Sequence, residues 1–477
     1  MHDVELRVPL GLGEVLQEIV YREGAHEYVA FGLVSHAHLG GRDTLLLRRV
    51  LPLDEEAYRN EPGHGAAWDG MAMVPVIEEA MNEGLGIILF HAHAHRGRPS
   101  LSRDDRTSAR RLLPMFRQRV PSRPHGSIVL SRTHAGGIIL MPGEMQPRTA
   151  IVVRWYGAAI SRWPASEETI TPPDDPIFQR QALVVGGMGQ EILRRARVAV
   201  VGLGGGGSHI VQQLAHLGIG EVIAIDPDRV ERSNRHRLVG LRWLDVWLKR
   251  RKVDVMRRLV RRVGTGSRFL CIPVKVPEPE AVEALKAADI IVGCLDNLHA
   301  RLDLQDLAWR FLIPYVDIGV SIRPIEDVRD GGPRVVIGGN VITLIPGGFC
   351  LWCCGFLSEE KLALELSGPN RSYFQNGQGE AQVVSLNGII ASQAVSEVLQ
   401  LLTGFAGTGI RGVDIAMDHN ETSQRGFKKL NGTNGSLQEW GAVRRPTCPH
   451  CNTVLARGAI HWSAGPKSHS LRWRNRL

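Results

Sequence analysis

The sequence predicts an α/β protein of two domains, the second built on a parallel sheet. Three observations carry this. The segment Trp163 to Pro176, WPASEETITPPDDP, is rich in proline, hydroxyl and acidic residues and has little periodic apolar signal, so it reads as a linker. After it, apolar strands, a glycine loop and helices alternate as in a parallel sheet. Before it, strand and helix patterns mix. The boundaries expected are 1–160 for the first domain, 161–176 for the linker, 177–456 for the second domain and 457–477 for a basic tail.

A chain of 477 residues exceeds one ordinary domain. Its 43% hydrophobic and 22% charged composition is that of a globular protein. No run of 18 apolar residues occurs, and MHDVELRVPL lacks the basic-then-apolar character of a signal. A cytoplasmic protein without membrane contact is expected. The net charge of +8 is carried mainly by scattered arginines, which predicts no nucleic-acid partner but suits an acidic or nucleotide ligand. Seven cysteines, four of them in CxxC pairs, suit a reducing compartment and metal ligation better than disulfides.

In the first domain, Gly84 to His91 (GLGIILFH) is a buried strand bounded by glycines. Side chains alternate across a strand, so His91, His93 and His95 share one face at its end. Downstream, SRDDRTSARRLLPMF is a helix in which Ser102 and Asp105 match a capping box. Capping accounts for Ser102 and Asp105 without a metal, but not for histidines repeated on one face. Two imidazoles and a carboxylate form a zinc site with an open fourth position.

This pattern, His-x-His followed by Ser-x-x-Asp, resembles the JAMM (MPN-type) zinc peptidases, which cleave peptide and isopeptide bonds after ubiquitin-like proteins. The resemblance spans roughly residues 1–155. It implies that His91, His93 and Asp105 ligate a catalytic zinc, that Glu27 in HEYVAFGLVS is the general base, and that Ser102 hydrogen-bonds the oxyanion. Ala94 stands where that family usually has proline, and the gap from His93 to Ser102 is one residue longer than its usual count. His93 with His95 is the alternative pair.

In the second domain, ARVAVVGLGGGGSHI runs from a strand into Gly202-x-Gly204-x-x-Gly207, with a helix expected from Ser208. Such glycines let backbone N–H groups approach a phosphate. Asp226 ends the next strand, EVIAID, where a dinucleotide fold places its ribose-binding acid. An NAD enzyme shares these features. Asp228, Asn234, Arg237, Lys252 and Asp296 follow in a spaced polar set for which a nicotinamide enzyme has no standard use. Taken alone, Lys252 in KRRK would read as a solvated basic face.

This ordered set, with the upstream Arg180-Gln181, resembles the ThiF/MoeB family, which shares a Rossmann-like adenylation fold with ubiquitin-activating enzymes. The resemblance implies ATP and Mg²⁺. Gly202, Gly204 and Gly207 would approach the phosphates, and Asp226 the ribose. Asn234, Arg237 and Lys252 would neutralise phosphate charge, Asp296 would position Mg²⁺, and Arg180 would reach the nucleotide from a partner subunit. The reaction implied is attack of a protein's C-terminal carboxylate on the α-phosphate of ATP.

Cys350-x-x-Cys353 and Cys448-x-x-Cys451 have the spacing of a structural Cys₄ zinc site. Cys271 and Cys294 sit in apolar runs and read as core. Ubiquitin-activating enzymes hold their modifier on a cysteine in a crossover segment; the matching stretch, Gly368 to Val384, has none, leaving Cys354 as the loose candidate for a thioester.

Together the resemblances imply a JAMM-type peptidase fused to a ThiF/MoeB-like adenylating domain, both acting on a ubiquitin-like protein with a C-terminal glycine. A conjugating-enzyme-like protein and a second copy of the chain are the further partners implied. Sulfur-carrier activation ending in a thiocarboxylate is the alternative, and a first domain that only docks the modifier is the third reading.

Overall fold

The structure is a computed structural model. It describes residues 4–24, 27–59, 67–93, 97–149, 151–164, 175–325, 334–367, 382–406, 424–431, 436–442, 444–448 and 450–451. Two compact units divide the chain, the first built from Met1–Thr169 and the second mainly from Ile170–Trp309 and Ile313–Asn452.

The first unit is one eight-stranded mixed sheet. In chain order it comprises β1 (Val4–Val8), α1 (Leu12–Val20), β2 (Ala30–Leu39), β3 (Arg42–Pro52), α2 (Val74–Glu83), β4 (Gly86–Ala92), α3 (Arg103–Arg119), β5 (His125–Leu130), β6 (Ala135–Leu140), β7 (Ile151–Trp155) and β8 (Ser161–Pro164). The strand order is β6-β5-β4-β2-β3-β1-β7-β8. β8 pairs with β7 and so takes the first four residues expected of the linker. The alternation of β4 divides its side chains between two cores. Ile88 and Phe90 join Leu16 and Val20 of α1 on one face. Ile87 and Leu89 join Val76 and Ala80 of α2 and Leu113 and Phe116 of α3 on the other. By the same parity His91 belongs to the face that α3 covers.

The second unit comprises α4 (Gln179–Arg195), β9 (Arg197–Val201), α5 (Gly205–His216), β10 (Glu221–Ile225), α6 (Trp243–Trp247), α7 (Lys252–Val263), β11 (Arg268–Ile272), α8 (Pro279–Lys286), β12 (Ile290–Gly293), α9 (Leu298–Arg310), β13 (Tyr315–Ile325), β14 (Arg334–Leu344), α10 (Glu359–Ser367), α11 (Val384–Thr403), β15 (Gln424–Asn431) and β16 (Ser436–Ala442). Its sheet runs β11-β10-β9-β12-β13-β14-β15-β16. The first five strands are parallel and the last three continue antiparallel. The order reverses between β9 and β12, so their carboxyl ends part and leave a crevice, the place where open α/β sheets bind ligands. No described helix is long and apolar enough to cross a membrane.

Candidate functional site

A cleft of about 580 Å³ opens at that reversal. Gly202, Gly204, Gly205 and Gly206 line it from the end of β9, Asp226 and Asp228 from the end of β10, and Cys294 to Asn297 from the end of β12; Arg237, Lys252 and His299 complete its polar wall. Two glycines are obligatory. Gly202 has φ +88°, and a Cβ there would lie 2.5 Å from the Cys294 carbonyl oxygen. A Cβ on Gly207 would lie 1.9 Å from the Gly202 carbonyl oxygen. Gly207 therefore sits behind the loop and allows close packing rather than lining the cleft. The helix α5 starts at Gly205, not at Ser208, which places its unpaired N–H groups within the loop itself.

Asp226 is buried. Its Oδ2 accepts from the N–H of Leu203 at 2.6 Å and its Oδ1 from the N–H of Asp228 at 2.8 Å, so it shapes the glycine loop as well as facing the cleft. Burial pushes its carboxyl upward, against the pull of Lys252 and these N–H donors. Nζ of Lys252 lies 3.5 Å from Asp226 and 2.7 Å from Asp228. Burial would lower the Lys252 ammonium, but the two carboxylates more than offset it and hold the charge. Arg237, its Nη1 donating to the Ser233 carbonyl, adds a second cation. Asp296 is exposed at the mouth.

Two expected residues lie elsewhere. Asn234 does not line the cleft: its buried Oδ1 accepts from the N–H of Glu231, closing the turn that carries Arg237. Its Oδ1 is thus engaged in shaping that turn. Arg180 is exposed on α4, outside the cleft of its own chain.

The four CxxC cysteines converge. Sγ of Cys350 lies 3.7 Å from Cys353 and 3.6 Å from Cys448, and Cys353 lies 3.7 Å from Cys451. A tetrahedron with Zn–S bonds of about 2.3 Å has edges of about 3.8 Å, so the set fits one zinc and is far too open for disulfides. The Arg445 N–H donates to Cys353 Sγ, and His450 pairs with Asp306 of α9. Cys354 is a poor nucleophile: burial pushes its thiol up to about 11, and it donates to the Leu351 carbonyl. Cys294, expected in the core, edges the cleft, yet burial and Asp317 push its thiol well above the ordinary range.

In the first unit, His91, His93 and Asp105 come together with ligand atoms all within 4.8 Å of one another. His91 Nε2, buried and without a hydrogen-bond partner, lies 3.3 Å from Asp105 Oδ2. Asp105 also accepts from the Ser102 N–H at 2.7 Å, while its own N–H donates to Ser102 Oγ at 3.1 Å. The capping box is thus present, and its acid also faces the histidines. Burial would raise the Asp105 carboxyl, but the His91 imidazole and the Ser102 donors hold it well below the carboxylate range. The donor set and the orphaned Nε2 fit a zinc ion. Ala30 pairs with Phe90 across β2 and β4; Glu27 lies three residues before β2 and is not part of the ligand cluster. His95 and Ala94 lie outside the described residues.

Sequence reasoning missed one arrangement. Glu365 of α10, buried, accepts from the N–H groups of Leu298 and His299 at 2.7 and 3.1 Å and from His299 Nδ1 at 2.6 Å. Nothing local links residues so far apart in the chain.

A parallel sheet with a glycine turn at its reversal point, a buried acid after the second strand and two cations in the crevice define a nucleotide-binding protein with a phosphate-centred site. Residues 178–450, more than half of the sequence, match the ThiF family model; the chain belongs to the ThiF family. It is 36% identical over 133 residues to the sulfur carrier protein adenylyltransferase of Thermus thermophilus, covering 28% of this chain and 48% of that protein. It is 31% identical over 169 residues to the SAMP-activating enzyme E1 of Haloferax volcanii, covering 35% and 57%. To the molybdopterin-synthase adenylyltransferase of Escherichia coli it is 28% identical over 170 residues, covering 34% and 67%. The chain spans about half the length of the first two of these relatives. The family match begins at 178.

Proposed function

We propose that the second unit adenylates the C-terminal glycine carboxylate of a ubiquitin-like or sulfur-carrier protein. The observation that carries this is the meeting of the glycine loop, Asp226, Arg237, Lys252 and Asp296 in one crevice. Backbone N–H groups at the start of α5 cradle the triphosphate, Asp226 holds the ribose, and Lys252 and Arg237 stabilise charge on the phosphates as the carboxylate attacks. Asp296, exposed at the mouth, positions Mg²⁺. Arg180, exposed on α4 and outside the cleft of its own chain, would reach the nucleotide of a second copy in a homodimer. The names of the relatives support a carrier protein as the substrate. The absence of a suitable thioester cysteine favours sulfur-carrier activation over transfer to a conjugating-enzyme-like protein. Pyrophosphate exchange into ATP, dependent on a peptide ending in Gly-Gly and abolished in Asp296→Ala, tests the reading.

For the first unit we propose a JAMM-type peptidase that trims or removes the same modifier. His91, His93 and Asp105 hold zinc, which when bound polarises a carbonyl and lowers a water's pKa to ~7. Glu27 accepts and returns the proton. The orphaned Nε2 of His91 carries this reading. Cleavage of a Gly-Gly-linked fusion, lost in Glu27→Gln with zinc retained, tests it; zinc bound without cleavage would leave a docking domain.

A further inference from the structure

The carboxylate-held imidazole in the cleft has no part in adenylation. Carboxylate attack on the α-phosphate releases no proton, so the first step needs cations and no base. Yet His299 lines the cleft three positions beyond Asp296, with its side chain 37% exposed. Its Nδ1 is fixed 2.6 Å from Oε2 of Glu365, a carboxylate that also caps the start of α9. Nε2 occupies the opposite edge of the ring and has no partner among the described residues. A buried carboxylate orienting the imidazole of a cleft-lining histidine is the arrangement of a general base for a proton-bearing nucleophile.

We infer that His299 is the general base of a second step in the same cleft, in which a thiol from another molecule takes the acyl group from the adenylate. Glu365 is its positioning residue. This rests on the adenylation reading and deepens it. The sulfur attacks the carbonyl carbon, and the S–H proton passes to Nε2 of His299. The bond from carbonyl carbon to phosphate oxygen breaks, and AMP leaves with that electron pair. The products are a thioester and AMP, and the imidazolium returns its proton to solvent. The chain's own cysteines do not compete. Four lie in the zinc-spaced cluster, Cys354 and Cys294 are held as thiols, and Cys271, on β11, accepts a hydrogen bond from Arg257 of α7. A thiol is favoured over an amine because its ordinary pKa of about 8.5 is within reach of an imidazole, whereas a lysine at about 10.4 is not.

The test uses the full chain with ATP, Mg²⁺, a peptide ending in Gly-Gly and N-acetylcysteamine as the thiol. Wild type should exchange pyrophosphate, and the thiol should accelerate AMP release. In His299→Gln, thiol-dependent AMP release should fall about 100-fold, well beyond any loss of exchange that comes from altering the cleft wall. Glu365→Gln should lose about tenfold in the same step. Hydroxylamine, which attacks without a base, should restore AMP release in both variants, showing that the site is folded and loaded. Unchanged thiol-dependent release in His299→Gln would overturn the inference. So would an equal loss of exchange in that variant while it keeps wild-type ATP binding. No exchange in wild type would instead remove the adenylation reading, and this inference with it.

Discussion

His91 Nε2 lies 3.3 Å from Asp105 Oδ2, and the same Asp105 oxygen accepts from the N–H of Ser102 at the start of α3. One carboxylate thus sets both where the helix begins and what the strand-end histidines face. Cap and cluster are therefore separable by mutation. Replacing Ser102 by Ala should cost about 1 kcal/mol of stability and leave zinc bound. Replacing His93 by Ala should lower zinc per chain from two to one. Native mass spectrometry and thermal unfolding of the two variants read these effects; one zinc in wild type would remove the cluster as a metal site.

Lys252 and Asp296 should fail differently. Lys252→Ala leaves Asp226 buried with its nearest ammonium gone, so stability and ATP affinity should both drop. Asp296→Ala sits at an exposed position and should spare stability while lowering Mg²⁺-dependent exchange by about 100-fold or more. Thermal shift with and without ATP distinguishes the two.

Gly207→Ala should collapse the nucleotide site without touching the ligand, because a methyl there meets the Gly202 carbonyl oxygen at 1.9 Å and the turn must open. ATP binding by calorimetry should fall below detection while zinc content stays at the wild-type value.

Much of this site was legible because its signals are local. The glycine turn, Asp226 after its strand and the CxxC pairs each declare themselves within a few residues. Spacing did not reveal that the Oδ1 of Asn234 accepts from the Glu231 N–H to close a turn beside the cleft. The start of α5 at Gly205 was masked by the low helix propensity of glycine, overridden here by close packing of Gly205 against Asn387 of α11 and of Gly206 against Ile318 of β13. Glu365 was invisible, since its partners are brought to it by the fold alone.

The first unit should lose stability in acid in two stages. His125 is buried, its Nδ1 accepting from the Ile87 N–H and its Nε2 donating to the Val120 carbonyl, and burial lowers its pKa from 6.5 to about 4. The neutral ring is the native form, so its contribution is complete above pH 6.5 and is lost as pH falls toward 4. Glu5 is also buried, and burial would raise its carboxyl. Arg154 and Arg7 at 3.0 and 2.7 Å reverse this and hold it at about 2. Its contribution, roughly 3 kcal/mol, is present above pH 4.5 and is lost as pH falls toward 2. Hydrogen exchange of β1 and β5 amides against pH should show both stages, and Glu5→Gln should abolish the lower one.

Cys448→Ser should remove the second zinc and destabilise the second unit, with a loss of several degrees in Tm that added zinc does not restore.

The two CxxC pairs stand almost a hundred positions apart, so a zinc held by the four sulfurs would fasten a large ring of chain. A protease cut within residues 354–447 would sever the backbone without releasing either piece. The nicked protein would migrate as one species in native electrophoresis and as two once the metal was stripped and the chain denatured. Fragment complementation should then be possible at this ring, with each half of the clasp carried on a separate polypeptide.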